Sequence, residues 1–166
     1  MVSAVFADTC YFLALSTRRD CLHRQAVALQ GCLDQPILTT EWVLTEVADA
    51  LAAPATRARF AVLINRLKGR SDVRIVSVSR EHFEKGCALY FRRMDKGWSL
   101  TDCISFLVMW QRGVKVALTS DQHFVQAGFQ ILMSTDLPGV REPAPLYCAG
   151  AIADTGGVTS EVRNAA

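Results

Sequence analysis

The chain has 166 residues, of which 51% are hydrophobic and 20% charged, and a net charge of +2. That length suits one compact domain with a core of its own, and the apolar-to-charged balance excludes a disordered chain. No apolar run approaches the roughly 18 residues that span a bilayer, and the first is broken by Asp8 with no basic stretch before it, so neither a membrane span nor a signal peptide is expected. A soluble, cytoplasmic protein is the expectation.

The six cysteines (Cys10, Cys21, Cys32, Cys87, Cys103 and Cys148) include no C-x-x-C pair and no histidine at zinc-ligand spacing. Reduced thiols, most of them packed as small hydrophobes, are the expectation.

In chain order, residues 2–7 read as a buried strand, and residues 11–15 begin a helix that resumes, after a break, over 21–33. Residues 36–39 form a short strand. From 41 to 51, Trp42, Val43, Val47, Ala50 and Leu51 recur at helical spacing. Pro54 interrupts that helix, and a basic helix follows to about 67. Residues 73–78 are strand-like, 80–94 helical, and 96–97 a loop. Residues 100–110 form the most apolar helix, ended by Gly113. A strand over 114–118, a short helix over 120–127 and a last strand over 129–132 complete the pattern. Such alternation predicts an α/β fold, a parallel sheet covered by helices on both faces. The expected domain is 1–137. Residues 138–166, rich in Gly, Pro, Ala and Thr, read as an irregular tail.

Ligands of open α/β sheets bind beyond the carboxyl ends of the strands. Asp8 ends the first strand, Asp121 closely follows the fourth, and Asp102 opens the apolar helix. Glu46 lies about one turn into the helix after the second strand. Each acid has a purely structural reading. Asp8 or Thr9 suits a helix cap, Ser99 and Asp102 match a capping box, and Asp121 suits a first helical turn. Capping, however, predicts no common location and leaves Glu46 unexplained. Carboxylates gathered at one edge repel one another unless a divalent cation joins them, and all-oxygen ligands suit Mg²⁺ or Mn²⁺ rather than zinc. Such a centre serves phosphodiester hydrolysis. The spacing alone reaches no further than a candidate metal site.

Four segments sharpen this reading: Phe6-Ala7-Asp8-Thr9, Thr39-Thr40-Glu41-Trp42-Val43-Leu44-Thr45-Glu46, the stretch from Asp95 through Thr101-Asp102 to Phe106, and Ala117-Leu118-Thr119-Ser120-Asp121-Gln122-His123-Phe124. In content and order they resemble the PIN-domain nucleases, especially the VapC-type toxins of bacterial toxin-antitoxin pairs. The resemblance implies a three-layer α/β/α domain with about five mainly parallel strands and metal-dependent cleavage of RNA. By position it makes Asp8, Glu46, Asp102 and Asp121 the acids that hold Mg²⁺ (or Mn²⁺), with Thr9 and Thr119 orienting carboxylates or a water. It further implies a homodimer and a small antitoxin that blocks the acidic site.

Other polar residues earn less. Asp95 beside Lys96 reads as solvated, Asp49 as a neighbour of Glu46, and Glu41 as a first-turn acid. For His123, packing or surface exposure is favoured over contact with substrate. Without the four acids, 12 acidic residues face 18 basic ones. The bases cluster at Arg18, Arg19 and Arg24, at Arg57, Arg59, Arg66, Lys68, Arg70 and Arg74, and at Arg92, Arg93 and Lys96, patterns that suit a phosphate backbone or a solvated helix face. A dehalogenase-like phosphatase would need D-x-D where the chain has Asp8-Thr9-Cys10, and a receiver domain would need an acid after the third strand, where it has Ser77 and Ser79. A silent PIN scaffold that binds RNA or a protein, and a PIN nuclease of RNA maturation, remain as alternatives.

Overall fold

A computed structural model describes residues 4–135. Strands β1 (Val5–Ala7), β2 (Ile37–Thr40), β3 (Val73–Val76), β4 (Val116–Leu118) and β5 (Gln130–Ile131) form one sheet in the order β3-β2-β1-β4-β5, with every neighbouring pair parallel. Helices α1 (Thr9–Ser16), α2 (His23–Cys32), α3 (Glu41–Ala50), α4 (Arg57–Lys68), α5 (Arg80–Arg92), α6 (Leu100–Arg112) and α7 (Gln122–Gln126) flank it. The central strands β1, β2 and β4 are short and buried at every position, as a sheet covered on both faces requires. This is the α/β/α layering expected from the alternation. The expected tail, 138–166, and the first residues of the first strand lie outside the described residues.

Element bounds differ from expectation mainly at ends. The first helical stretch divides into α1 and α2 where Asp20 Oδ1 accepts the Leu22 N–H at 2.8 Å, closing a turn that no helix crosses. The third strand stops at Val76, because the backbone N–H of Val78 donates to Glu41 Oε2 at 2.7 Å and turns away from the sheet.

Two glycines shape the layer that carries Asp102. At Gly86 a Cβ would come within 2.5 Å of Ile104 Cγ1, so its bare backbone lets α5 lie close against α6. Gly113 ends α6 in the left-handed conformation, φ 65°, which glycine adopts without steric cost. An aromatic cluster then ties α6 to β1 and α7: Phe106 meets Phe124 edge-on at 5.0 Å and Trp98 at 5.0 Å, and Phe124 lies 6.1 Å from Phe6.

Register places the strand ends. Phe6 pairs with Leu38 on one side and Ala117 on the other, so the residues after β1 and β4 emerge at the same level. Strand order reverses between β1 and β4, the position where sheets of this kind open a crevice at their carboxyl edge. A separate cavity of about 680 Å³ opens beside Ala4, Pro36 and Val114, at the start of the strands, and contains none of the predicted acids.

Candidate functional site

The carboxyl edge brings Asp8, Asp102 and Asp121 within electrostatic reach of one another, and ties Glu46 in through Thr9. Asp8 follows β1 in extended conformation, at the N-cap position of α1, yet its side chain makes no cap bond. Instead Asp8 Oδ2 accepts the Thr119 hydroxyl at 2.8 Å, across 111 residues of chain. Thr119 Oγ1 in turn accepts the Asp121 N–H at 3.1 Å and lies 3.2 Å from Cys10 Sγ, which accepts the Ser120 N–H at 3.3 Å. The end of β4 is thereby fastened to the start of α1.

Asp102 and Asp121 are caps as well as members of this edge. Ser99 and Asp102 form a reciprocal capping box, with Ser99 N–H donating to Asp102 Oδ2 at 2.8 Å and Asp102 N–H to Ser99 Oγ at 2.9 Å. Asp121 caps α7 by accepting the His123 N–H on Oδ1 at 2.8 Å. In both cases the bonds that shape the helix end also aim the carboxylate. Glu46 joins from α3, where its Oε2 accepts the Thr9 hydroxyl at 2.8 Å.

Among the described residues, Asp102, Asp121 and His123 bring ligand-type atoms within 4.8 Å of one another. His123 Nδ1 stands 3.3 Å from Asp102 Oδ2 and 3.4 Å from Asp121 Oδ2. The histidine is therefore neither packed away nor merely exposed, which corrects the sequence expectation. Its two-residue offset from Asp121 was the available signal. Cys10 was likewise missed, since nothing local marks a cysteine two residues after an acid.

Electrostatics sets this edge apart. Asp8 is 7% exposed. Burial pushes its carboxyl up to about 7; the Thr119 hydroxyl and the Thr9 backbone oppose the shift, and the charges of Asp102 and Asp121 add to it. Burial raises Asp102 too, against the Ser99 backbone bond and with Asp121 adding to the rise. Burial and the Asp8 charge raise the Cys10 thiol, so it stays neutral. Among the described residues, no lysine or arginine pairs with any of the four acids. Three mutually repelling carboxylates with oxygen and imidazole donors at hand fit a divalent cation.

Several other polar residues face elsewhere. Asp95 pairs with Arg93 at 2.8 Å, solvated as expected, and Asp49 is exposed. The basic clusters are partly occupied within the molecule: Arg70 holds Asp72 at 2.6 Å, Arg57 binds the Ala52 carbonyl, and Arg93 lies over the Trp98 ring at 4.8 Å. Arg18, Arg19, Arg24, Arg66, Lys68 and Arg92 are exposed and form no ion pair among the described residues. The expectation that most cysteines pack as small hydrophobes is too broad. Of the five described, all free thiols, only Cys103 is fully buried and Cys21 is exposed.

Known proteins resemble this chain in sequence and fold. The chain is 28% identical, over 125 residues, to the 23S rRNA-specific endonuclease VapC20 of Mycobacterium tuberculosis, a span covering 75% of this chain and 95% of that protein. The crystal structure of the same toxin, described as cleaving the sarcin-ricin loop, superposes with a TM-score of 0.68 at 27% identity, again covering 75% and 95%. FitAcB from Neisseria gonorrhoeae shares the fold at a TM-score of 0.56 and 16% identity, covering 80% of this chain and 99% of that one. The family model for the PIN domain matches residues 5–130, and the chain belongs to the PIN domain family.

Proposed function

We propose that the protein is a metal-dependent endoribonuclease, the toxin of a toxin-antitoxin pair, which hydrolyses an RNA phosphodiester at Asp8, Glu46, Asp102 and Asp121. The observation that carries this reading is the convergence of Asp8, Asp102 and Asp121 on one sheet edge, with Glu46 tied in through Thr9 and, among the described residues, no lysine or arginine paired with any of them. Kinship with an rRNA-cleaving toxin over nearly that toxin's whole length supports RNA as substrate, with structured ribosomal RNA the first choice.

The four carboxylates would hold Mg²⁺ or Mn²⁺, and such an ion lowers the pKa of water and stabilises charge on the phosphate oxygens. The chain's own residues prepare the place. Thr119 donates to Asp8 and favours its ionised form against burial. Thr9 fixes the Glu46 carboxylate, and Ser99 fixes that of Asp102. Asp8 stands at the start of α1 and Asp102 in the first turn of α6, so the positive ends of both helices would favour a phosphate at this edge. The exposed Arg92, in the last turn of α5 before the loop that leads into α6, is free to hold the backbone without reading its sequence.

A toxin needs a neutralising partner, so a small antitoxin covering the acidic edge and a homodimer belong to this reading. A cytoplasmic setting does too, in keeping with the free thiols. Among the described residues no helix is long and apolar enough to cross a membrane.

The test is cleavage of purified ribosomal RNA and of a tRNA pool, with Mg²⁺, with Mn²⁺ and with chelator, by wild type and Asp102→Asn. Discrete cuts that require both metal and Asp102 are expected. A folded, metal-loaded protein that cuts none of these RNAs would point to a binding scaffold instead.

A further inference from the structure

His123 turns its ring back over the site from the first turn of α7. Its backbone N–H holds Asp121 Oδ1 at 2.8 Å, while its Nδ1 faces Asp102 Oδ2 and Asp121 Oδ2 at 3.3 and 3.4 Å. The Nε2 edge points the other way, toward Gly97, 3.6 Å from where a Cβ would stand there. One ring nitrogen carries one proton or one lone pair, so it cannot direct a straight hydrogen bond at both carboxylates. A cation shared by all three atoms satisfies every one of them. Resting on the metal centre proposed above, we infer that His123 Nδ1 is a ligand of the cation, making a mixed nitrogen–oxygen centre that prefers Mn²⁺ to Mg²⁺.

Ligand chemistry sets Mn²⁺ above Mg²⁺ at such a centre. Mg²⁺ keeps oxygen ligands and water, whereas affinity for nitrogen donors grows along the first-row transition ions, of which Mn²⁺ is the hardest and the one that best shares carboxylates. A neutral imidazole adds a donor without adding a further negative charge to a crowded edge.

The experiment uses the full-length protein, stripped of metal and reloaded with Mn²⁺. Electron spin-echo modulation of the bound Mn²⁺ reads directly coordinated ¹⁴N, and calorimetric titrations with Mn²⁺ and Mg²⁺ compare wild type, His123→Gln and Asp102→Asn. A ¹⁴N coupling in wild type is expected, lost in His123→Gln, with Mn²⁺ affinity lowered about tenfold and Mg²⁺ affinity altered less than about twofold. Circular dichroism checks the fold, and His123→Asn replaces the glutamine variant should that one unfold. Bound Mn²⁺ without ¹⁴N coupling, or a coupling that survives loss of His123, overturns the histidine ligand while leaving the carboxylate centre intact. Wild type that binds no Mn²⁺, or Asp102→Asn that binds as well as wild type, overturns the centre itself.

Discussion

The Thr119 hydroxyl donates to Asp8 Oδ2 at 2.8 Å and at the same time accepts the backbone N–H of Asp121 at 3.1 Å. One small side chain just past the end of β4 thus ties together two acids that follow different strands. Thr119→Val keeps the shape and removes both bonds. Weaker metal binding is expected, with cleavage lowered about 10- to 100-fold at fixed metal concentration and stability lowered by about 1–2 kcal/mol for the unpaired buried groups. Activity measured against metal concentration checks this, because excess metal should recover part of the loss.

Asp8 gives metal-free protein a pH-dependent stability of definite sign. Its folded pKa of about 7 exceeds the ordinary value of 3.8, so the folded state binds the proton more tightly than the unfolded chain. Its contribution to stability is therefore greatest in acid and falls as pH rises from about 4 to about 7, by up to about 1.4 kcal/mol per unit. Asp8→Asn should flatten this dependence, be more stable than wild type at pH 8 in chelator, and cut no RNA. Denaturant unfolding across pH, with chelator present, measures it.

Capping and catalysis are separable at Asp102. Ser99→Ala removes the hydroxyl that accepts the Asp102 N–H and is expected to cost about 1 kcal/mol of stability, with most cleavage retained. Asp102→Asn keeps an oxygen able to accept the Ser99 N–H. Stability within about 1 kcal/mol of wild type is expected, because lost helix-dipole attraction is offset by relief of repulsion, and cleavage should be abolished. Equal losses of folding in the two variants would leave Asp102 a cap alone.

Close approach of α5 to α6 depends on Gly86. Gly86→Ala drives a methyl against Ile104 Cγ1, and a loss of about 1–3 kcal/mol is expected. Combining it with Ile104→Ala should cost less than the sum of the single changes, since the second removes the atom in the way. Equilibrium unfolding of the four proteins closes that cycle.

Much of this was legible along the chain. Apolar runs of three to six residues alternating with 3.6-residue periodicity announced a parallel α/β sheet, because a strand buried on both faces and a helix buried on one leave different local patterns. The positions of Asp8, Asp102 and Asp121 just past strands or at helix starts placed three acids at one edge without any coordinates. The six-residue strand expected at 73–78 ended early because Glu41, far away in sequence, captured the Val78 N–H. Such a bond has no local signature.

What the chain alone determined is what depends on neighbours in sequence: the elements, their caps and the order of the acids. Tertiary structure decided which capping acids share a site, that Thr119 serves Asp8, that Cys10 and Asp121 meet on the same hydroxyl, and that His123 stands between two carboxylates. These contacts join residues up to 111 positions apart. They exist only because β1 and β4 lie side by side in register and the Phe6, Phe106 and Phe124 cluster holds α6 and α7 against them. Burial, the main cause of the raised Asp8 carboxyl, is likewise a property of packed layers and not of any short segment.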